Sequence, residues 1–325
     1  MQVKRSFRKF IKQKLNKSAF GVRIAHFIRL MREKISLLFY NDYRFLKKTY
    51  KKKFKKELNF KNPETYTEKM NWLKLFYHTQ EIEVCSDKYT VRKYLEQKGY
   101  GKYLNPLLGV YDSVNEIPFD KLPNRFVIKV SHGSSWNIIC KDKSELNIKK
   151  AKVKLACWQK EDISVFGREW NYRSSPRKII IEKFIDSQEL NDYKFVCLNG
   201  KVEYIQINHD FDGKHNLDYY DKNWVRLPIS LNGYNSSTVK CLKKPEKFNE
   251  MYQIAEDLSK NFPCVRIDFY NPNDKIYIGE ITFFTGGALR PFEPMDNPYD
   301  KLFGDKLQLP EPNYNLDLYK RIQNG

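Results

Sequence analysis

The chain has 325 residues, a formal net charge of +20 and 15% aromatic residues. This length suffices for two packed domains or one large one, each with its own core. No apolar run approaches the roughly 20 residues that cross a bilayer, and the basic N-terminus lacks the apolar stretch and cleavage site of a secretory signal. The six cysteines are scattered without a C-x-x-C pair, which disfavours a zinc site and is typical of reduced thiols in a cytosolic protein.

Residues 1–60 form a basic arm. They hold 19 Lys and Arg against three acidic residues, a net charge of +16, so the other 265 residues carry only +4. Apolar residues recur at helical spacing from Phe20 to Phe39 with Arg and Lys between them, which predicts a basic amphipathic helix. Three roles fit this pattern: packing on the body with a solvated charged face, lying on an anionic membrane, or binding nucleic-acid phosphates. No zinc-finger, homeodomain or RNA-recognition signature supports the last role, so nucleic acid is disfavoured.

The next segment, residues 61–125, reads as a small helical lobe. Thr65 and Glu68 have the spacing of a capping box, which predicts a helix start. A second helix is predicted to open at Cys85 and to end at Gly99. Its Lys88 and Arg92 are four residues apart and share one face, which spacing alone predicts to be solvated. A short strand follows at residues 106–111.

Residues 126–185 begin with a strand, a loop and a second strand. The strand Phe126–Val130 is apolar except for Lys129, whose ammonium must reach water or an anion. The backbone N–H groups of the loop Ser131–Asn137 can cover phosphates, although an ordinary hairpin turn is the alternative and neither phosphate-binding glycine motif is present. Within it, His132 is a candidate base or a residue that positions the loop. Another strand, Ile179–Ile185, carries a charged pair near its end.

Residues 186–325 begin with two strands joined by a tight Asn199-Gly200 turn, and a helix is predicted over 246–261. Between them, residues 208–216 are predicted to line an acceptor site or to form a solvated hairpin. A flexible loop, residues 286–294, carries Arg290, a candidate contact for a substrate carboxylate or phosphate.

A further hairpin of two short strands joined by a turn spans residues 266–282. Alternation places Arg266, Asp268 and Tyr270 on one face of its first strand, and Glu280 shares a face with Thr282 on the second. Two converging carboxylates repel unless a proton or cation lies between them, and Mg²⁺ accepts such ligands together with phosphates. The alternative is two strand residues that face solvent.

The ordered set of motifs resembles the ATP-grasp superfamily, and within it the TupA-like group that is linked to teichuronopeptide and other surface-polysaccharide synthesis. The resemblance extends from about Asn62 to Pro294. It implies an α+β fold in which two α+β subdomains grip ATP, preceded by the basic helical segment. The implied units are an arm (1–60), an N-terminal lobe (61–125), a subdomain with a phosphate-covering loop (126–185) and a C-terminal subdomain with a metal site (186–325).

The resemblance also implies roles for individual residues. Lys129 would bind the α/β-phosphate region, with Lys88 as a second cationic contact, and Lys194 would reach a phosphate. The loop over the phosphates would comprise Ser131, His132, Gly133, Ser134 and Ser135. Glu182 would lie at the adenine and ribose edge, and the adenine would meet backbone groups of Lys183, Phe184 and Ile185.

Other implied roles concern the metal and the transferred group. Asp268 and Glu280 would hold Mg²⁺, and Arg266 would neutralise the transferring phosphoryl group or the acyl phosphate. Two departures from the family pattern stand out: Thr282 replaces an Asn that is common two residues after the metal-binding Glu, which puts a second metal in doubt, and the loop holds less glycine than is typical.

The implied function is an ATP-dependent ligase that joins a sugar carboxylate to an amine through an acyl phosphate. It would use ATP and Mg²⁺ in capsule or other surface-polysaccharide biosynthesis, in the cytoplasm or at the inner face of the membrane. Two alternatives stay open. One is a glycosyltransferase, for which Asp210-Phe211-Asp212 is formally a D-x-D motif. The other is a non-catalytic protein that binds membrane or nucleic acid through its basic arm.

Overall fold

The computed structural model describes residues 18–187, 190–211, 214–231 and 241–324. Within them, α-helices pack with antiparallel sheets, in agreement with the α+β prediction. The helices are α1 (Ala19–Phe39), α2 (Asp42–Phe54), α3 (Tyr66–Phe76), α4 (Gln80–Ser86), α5 (Thr90–Gln97), α6 (Ile148–Lys160), α7 (Ser164–Gly167), α8 (Phe248–Ser259), α9 (Tyr299–Lys306) and α10 (Leu316–Asn324). The strands are β1 (Leu107–Tyr111), β2 (Phe126–Val130), β3 (Asn137–Cys140), β4 (Ile179–Lys183), β5 (Asp192–Leu198), β6 (Lys201–Phe211), β7 (Lys214–Asp221), β8 (Ser230–Leu231), β9 (Cys264–Tyr270), β10 (Tyr277–Thr282) and β11 (Phe292–Glu293).

Two larger sheets and one strand pair organise these elements. The first sheet has the order β1-β4-β2-β3, the second has the order β10-β9-β5-β6-β7, and β11 pairs with β8. All of the pairs are antiparallel. Because β1 belongs to the first sheet, this sheet crosses residue 125, where the sequence divides the N-terminal lobe from the next segment.

Each larger sheet has its own hydrophobic core. The smaller core lies between the first sheet and α6, around Phe126, Ile128 and Leu155. The larger core joins the second sheet to the helices of residues 42–95 and to α8. Helix α8 places an apolar residue on every third or fourth position, and it packs on the face of β5 and β9 that carries Phe195 and Phe269. The opposite face of that sheet is therefore left for polar residues.

The capping box predicted at Thr65 is confirmed. The Thr65 side chain accepts from the Glu68 N–H, and the Glu68 carboxylate accepts from the Thr65 N–H at 3.1 Å. The hairpin turn at Asn199-Gly200 and the helix predicted over 246–261 are likewise present, the latter as α8.

The prediction that a helix begins at Cys85 is wrong. Cys85 and Ser86 end α4, and α5 begins only at Thr90. The cause is Asp87, whose Oδ1 accepts hydrogen bonds from the N–H groups of Tyr89 at 2.8 Å and Thr90 at 3.2 Å. A short acidic side chain that captures backbone donors in this way stabilises a turn instead of a continuous helix. Lys88 therefore lies in a turn between two helices.

The amphipathic helix predicted at Phe20–Phe39 is present as α1, but the side that packs on the body is not the apolar one. Val22 and Glu33 are buried against the body, whereas Phe20 and Phe27 are exposed. The cause is a buried acid on the body, Glu161, which pairs with His26 and Arg29 on the polar face of the helix. No helix among the described residues is long and apolar enough to cross a membrane.

Candidate active site

The polar face of the second sheet carries one row of charged residues across neighbouring strands. Glu280 of β10 is the register partner of Asp268 of β9, which in turn faces Lys194 of β5, which faces Gln206 of β6. Side chains that lie directly opposite on antiparallel strands point to the same face. The hairpin pattern therefore brings Asp268 and Glu280 together, as the sequence predicts.

Cations of the chain contact both of these carboxylates. Arg266 binds Asp268 in a bidentate manner, with Nε 2.6 Å from Oδ1 and Nη2 2.7 Å from Oδ2, and Lys194 Nζ lies 2.6 Å from the same Oδ2. Glu280 accepts from Arg266 Nη2 at 3.0 Å and pairs with Lys88 Nζ at 3.0 Å. Lys194 also pairs with Asp192. The result is a compact cluster of alternating charge in which bidentate guanidinium binding fixes the plane of the Asp268 carboxylate.

The electrostatic balance differs between the two carboxylates. Burial raises the pKa of Asp268 to about 6, although Arg266 and Lys194 oppose the shift. Burial also acts to raise the pKa of Glu280, but Lys88, Arg266 and Lys194 outweigh it and hold that pKa well below its usual range. Glu280 is thus anionic throughout the physiological range, and Asp268 is mostly anionic at pH 7.

A cavity of about 320 Å³ lies over this cluster. The predicted site residues that line it are Lys88, Lys129, Ser134, Ser135, Lys194, Arg266, Asp268, Glu280 and Arg290. These residues come from both sheets. Lys129 extends into the cavity from β2 of the first sheet, and the remaining cations extend from the second sheet or from turns. Such a concave site with convergent charges suits a polyanionic ligand.

The middle of the loop Ser131–Asn137 lines the cavity, whereas the start of the loop is buried. Ser134 and Ser135 are exposed to the cavity, whereas Ser131, His132 and Gly133 are buried and do not line it. Lys88 ties the loop to the cluster, because its Nζ donates to the Gly133 carbonyl at 2.7 Å while it pairs with Glu280.

His132 acts within this loop as a positioning residue. Its Nε2 lies 3.0 Å from the Glu161 carbonyl oxygen, and burial lowers the pKa of the imidazole. The ring is therefore neutral and donates to that carbonyl. Of the two roles that the sequence leaves open for His132, the geometry favours loop positioning over a base in the cavity.

A second cavity, of about 290 Å³, lies on the other side of the same loop. Ser134, Ser135 and Trp136 line both cavities. Helix α1 closes the second cavity with His26 and Arg29. The loop is thus a partition between the charged cluster and the basic N-terminal helix.

Glu182 does not line the cavity and belongs to an ion network on the first sheet. It accepts from Lys129 Nζ at 2.7 Å and lies 3.6 Å from Arg92 Nη1. The expectation of a solvated face for Lys88 and Arg92 is therefore wrong, because each of them pairs with a carboxylate of the candidate site. The sequence spacing could not show this, since both partners are distant along the chain.

The segment expected at the adenine does not line the cavity. The Lys183 N–H donates to the Pro106 carbonyl at 3.0 Å, and its own carbonyl accepts from Asn105 at 2.8 Å. Phe184 packs under the Arg125 guanidinium at 4.3 Å. Ile185 also lies outside the lining. These contacts tie the segment to β1 and to the surface.

Polar residues to which the sequence analysis assigned no role at the site also line the cavity. Asp192 and Gln206 flank Lys194 on the same sheet face, Asn208 extends the row on β6, and Tyr270 lies beside Asp192 on β9. The signal was available in part, because Asp192 and Lys194 alternate along one strand in the same way as Arg266 and Asp268. Asn208 falls within the segment 208–216 for which an acceptor role was considered.

The formal D-x-D motif gains no support from the structure. Asp210 is exposed, pairs with His215 at 3.0 Å and does not line the cavity. Asp212 lies outside the described residues.

The donor set of the charged cluster fits a hard divalent cation that is shared with a phosphorylated ligand. Asp268 and Glu280 are adjacent carboxylates at the wall of the cavity, and Mg²⁺ is bound through one or two carboxylates while it keeps water and phosphate oxygens. Within the described ranges, no group of three or more His, Cys, Asp or Glu residues could hold a metal ion by itself. Thr282 accepts from Arg266 and donates to Glu280 at 3.3 Å, so its hydroxyl orients that carboxylate.

One comparison with known proteins identifies a family. A model of the TupA-like ATPgrasp family matches residues 68–308, well over half of the chain. No curated protein matches the sequence.

Solved structures with a similar arrangement are distant. An N5-carboxyaminoimidazole ribonucleotide synthetase in its ADP complex is 11% identical, with a TM-score of 0.37 over 62% of this chain and 46% of its own. A D-alanine–D-alanine ligase from Helicobacter pylori is 14% identical, with a TM-score of 0.39 over 75% and 69%. An L-amino acid ligase from Bacillus licheniformis is 17% identical, with a TM-score of 0.38 over 63% and 42%. The chain thus spans less than half of the first and third proteins, and with such low TM-scores the assignment depends on the family match.

Proposed function

Because the chain belongs to the TupA-like ATP-grasp family, we propose that it is an ATP-dependent ligase that forms an amide between a sugar carboxylate and an amine. We place this reaction in capsule or other surface-polysaccharide biosynthesis, in the cytoplasm or at the inner face of the membrane. The observation that carries the proposal is the row of Lys194, Asp268 and Glu280 beneath the loop Ser131–Asn137.

ATP is proposed to bind between the two sheets, in the cavity over the charged cluster. Lys129 from the first sheet and Lys194 from the second supply positive charge from opposite sides, and Lys88 adds a third cation. The exposed Ser134 and Ser135 would cover the phosphates. This placement agrees with a division of the chain into a subdomain that carries the loop, a C-terminal subdomain that carries the cluster, a preceding lobe and the basic arm. In that division β1 belongs with the loop subdomain.

The reaction needs charge neutralisation and alignment more than proton transfer. A carboxylate oxygen of the sugar attacks the γ-phosphorus of ATP, the bond to ADP breaks, and an acyl phosphate forms. The amine then attacks the acyl carbon, phosphate leaves, and the amine gives up a proton as the C–N bond forms. Fixed cations that surround the developing charge lower the barrier for both steps.

Individual residues divide this work. Asp268 and Glu280 would hold Mg²⁺, which neutralises charge on the phosphates when it is bound. Arg266 sets the orientation of both carboxylates and adds positive charge beside the transferred phosphoryl group. Arg290, exposed at the cavity, is proposed to hold the substrate carboxylate. Lys194 holds Asp268 and faces the phosphates.

The decisive experiment measures ADP release from ATP with a panel of uronic acids and amino compounds. Asp268→Asn and Glu280→Gln should each lower turnover by at least about 100-fold, the size of effect seen when one preorganised electrostatic contact is removed. The matched control is Asp274→Asn, which changes an exposed carboxylate in the turn of the same hairpin and should keep full turnover. Normal turnover in both site variants would refute the proposal.

A further inference from the structure

Helix α1 is attached to the body by its polar side. His26 Nδ1 lies 3.0 Å from Glu161 Oε1, and Arg29 pairs with the other oxygen of the same carboxylate. Further along, Arg168 donates to the Ser36 carbonyl at 3.0 Å and to its hydroxyl at 3.1 Å. Because Glu161 and Arg168 are both buried, these contacts hold the helix in one rotational setting.

The apolar side of the same helix therefore faces away from the body. The outward stripe consists of five residues at spacings of three, four or seven: Phe20, Phe27, Met31, Ile35 and Leu38. Their exposed fractions run from 43% at Met31 to 80% at Leu38. A helix on a globular protein normally presents its apolar stripe to the core, so an outward stripe of this length indicates a binding surface.

The side chains around the stripe are basic. Arg23, Arg32 and Lys34 are exposed along α1, and the exposed Lys48 and Lys52 of α2 lie beside it. Arg32, Ile35, Lys48 and Lys52 share the lining of a groove of about 340 Å³ between the two helices. Apolar side chains flanked by basic ones, on a segment of net charge +16, complement a surface that is apolar within and anionic at its edge.

We propose that the stripe and the basic side chains around it bind the surface of an anionic lipid bilayer, with α1 lying parallel to that surface. The polar side of the helix remains bound to Glu161 and Arg168. The proposal does not depend on the ligase reaction, because none of the stripe residues lines the cavity over the charged cluster.

The test is sedimentation of the full-length chain with vesicles. Vesicles of phosphatidylcholine mixed with phosphatidylglycerol should pull the protein down, pure phosphatidylcholine vesicles should do so at least about tenfold more weakly, and added salt should weaken binding. Phe27→Glu and Leu38→Glu should each reduce binding to the anionic vesicles by about tenfold or more. The matched control is Leu302→Glu, an exposed leucine on α9, which should bind as the wild type does.

Three results would overturn the proposal. One is no binding to anionic vesicles. Another is equal binding by wild type, Phe27→Glu and Leu38→Glu, which would assign the affinity to other basic residues of the arm. The third is a wild-type dimer in analytical ultracentrifugation that Leu38→Glu converts to monomers without any vesicle binding, which would make a second copy the occupant of the stripe. Circular dichroism of each variant verifies that the fold is retained.

Discussion

Asp268 and Glu280 are direct register partners on neighbouring strands, and one guanidinium nitrogen of Arg266 donates to both of them, at 2.7 and 3.0 Å. The two carboxylates are thereby held side by side at the wall of one cavity. Without Arg266, these two neighbouring anions would repel, and the burial of Asp268 would favour its protonation. Arg266 therefore preserves the charge that the proposed metal site requires.

Lys194 is expected to be essential for stability as well as for turnover. It is 6% exposed and lies between Asp192 and Asp268. Lys194→Met should lower the free energy of unfolding by about 3 kcal/mol, because Asp192 loses its cation and the buried Asp268 keeps only Arg266 as a partner. Urea denaturation measures the change.

The control for this variant is Lys201→Met on the adjacent strand, where the exposed ammonium lies 3.5 Å from Glu256. That change should cost no more than about 1 kcal/mol. Equal losses in the two variants would contradict the role assigned to the buried cluster.

Lys88 is expected to control nucleotide affinity. It joins the Gly133 carbonyl of the loop to Glu280 of the cluster. Lys88→Met should raise the KM for ATP by about tenfold, equivalent to about 1.4 kcal/mol, because the site loses a cation and the loop loses its tie. Kinetics of ADP release give this value. The control is Lys93→Met, which changes an exposed lysine of α5 and should leave the KM for ATP unchanged. An unchanged KM in Lys88→Met would show that nucleotide binding does not need the contact of Lys88 with the loop.

The hairpin at residues 266–282 was predictable because it depends on local patterns, whereas the α+β architecture was implied by the resemblance of the ordered motifs to the ATP-grasp superfamily. Alternation along Arg266-Ile267-Asp268 fixes which side chains share a face, and the turn fixes the pairing with Glu280. Other features depend on residues far apart in sequence. Lys88 contacts Glu280 only because Asp87 ends one helix and redirects the chain.

The orientation of α1 was not predictable for a similar reason. The periodicity of Phe27, Met31 and Leu38 defines an apolar face, but it does not say what that face contacts. Glu161, the acidic residue that determines the orientation of α1, lies in another segment, and no sequence pattern distinguishes it. The roles implied for Lys183, Phe184 and Ile185 depend on where the nucleotide base lies. The contacts of Lys183 with Pro106 and of Phe184 with Arg125 do not follow from the alternation of polar and apolar residues along a strand.

His78 is expected to make the protein sensitive to acid. Its ring is stacked between Trp170 and Tyr314, with centroids at 3.8 and 3.6 Å, and burial lowers its pKa to about 4. The unfolded chain binds a proton near pH 6.5, so between about pH 6.5 and pH 4 the unfolded state holds more protons and stability falls as the pH falls.

The measurement is the urea midpoint as a function of pH for wild type and His78→Phe, which keeps an aromatic ring in the stack. The variant should lose less stability than the wild type over that interval, and above pH 7 the pH dependence of the two should coincide. Identical slopes over the acid interval would show that His78 does not contribute.

Gly304 is expected to be irreplaceable by any larger residue. A Cβ at this position would lie 2.2 Å from the Glu64 carbonyl oxygen and 2.7 Å from the backbone of Thr65 and Tyr66. Gly304→Ala should therefore lower stability by about 1–3 kcal/mol, because α9 must move away from the start of α3. Thermal unfolding reports the loss.

Gly101→Ala is the matched control, since its Cβ would first meet a flexible Glu96 side chain at 3.2 Å. Its melting temperature should stay close to that of the wild type. A Gly304→Ala protein as stable as Gly101→Ala would show that α9 tolerates displacement.

The loop segment Ser134–Trp136 is a wall of two cavities, one over the charged cluster and one against α1. A ligand that shifts this wall changes the volume and lining of both spaces at once. If ATP and the bilayer bind as proposed and each shifts this wall, thermodynamic linkage requires that the factor by which ATP changes the affinity of α1 for the bilayer equals the factor by which the bilayer changes the affinity for ATP.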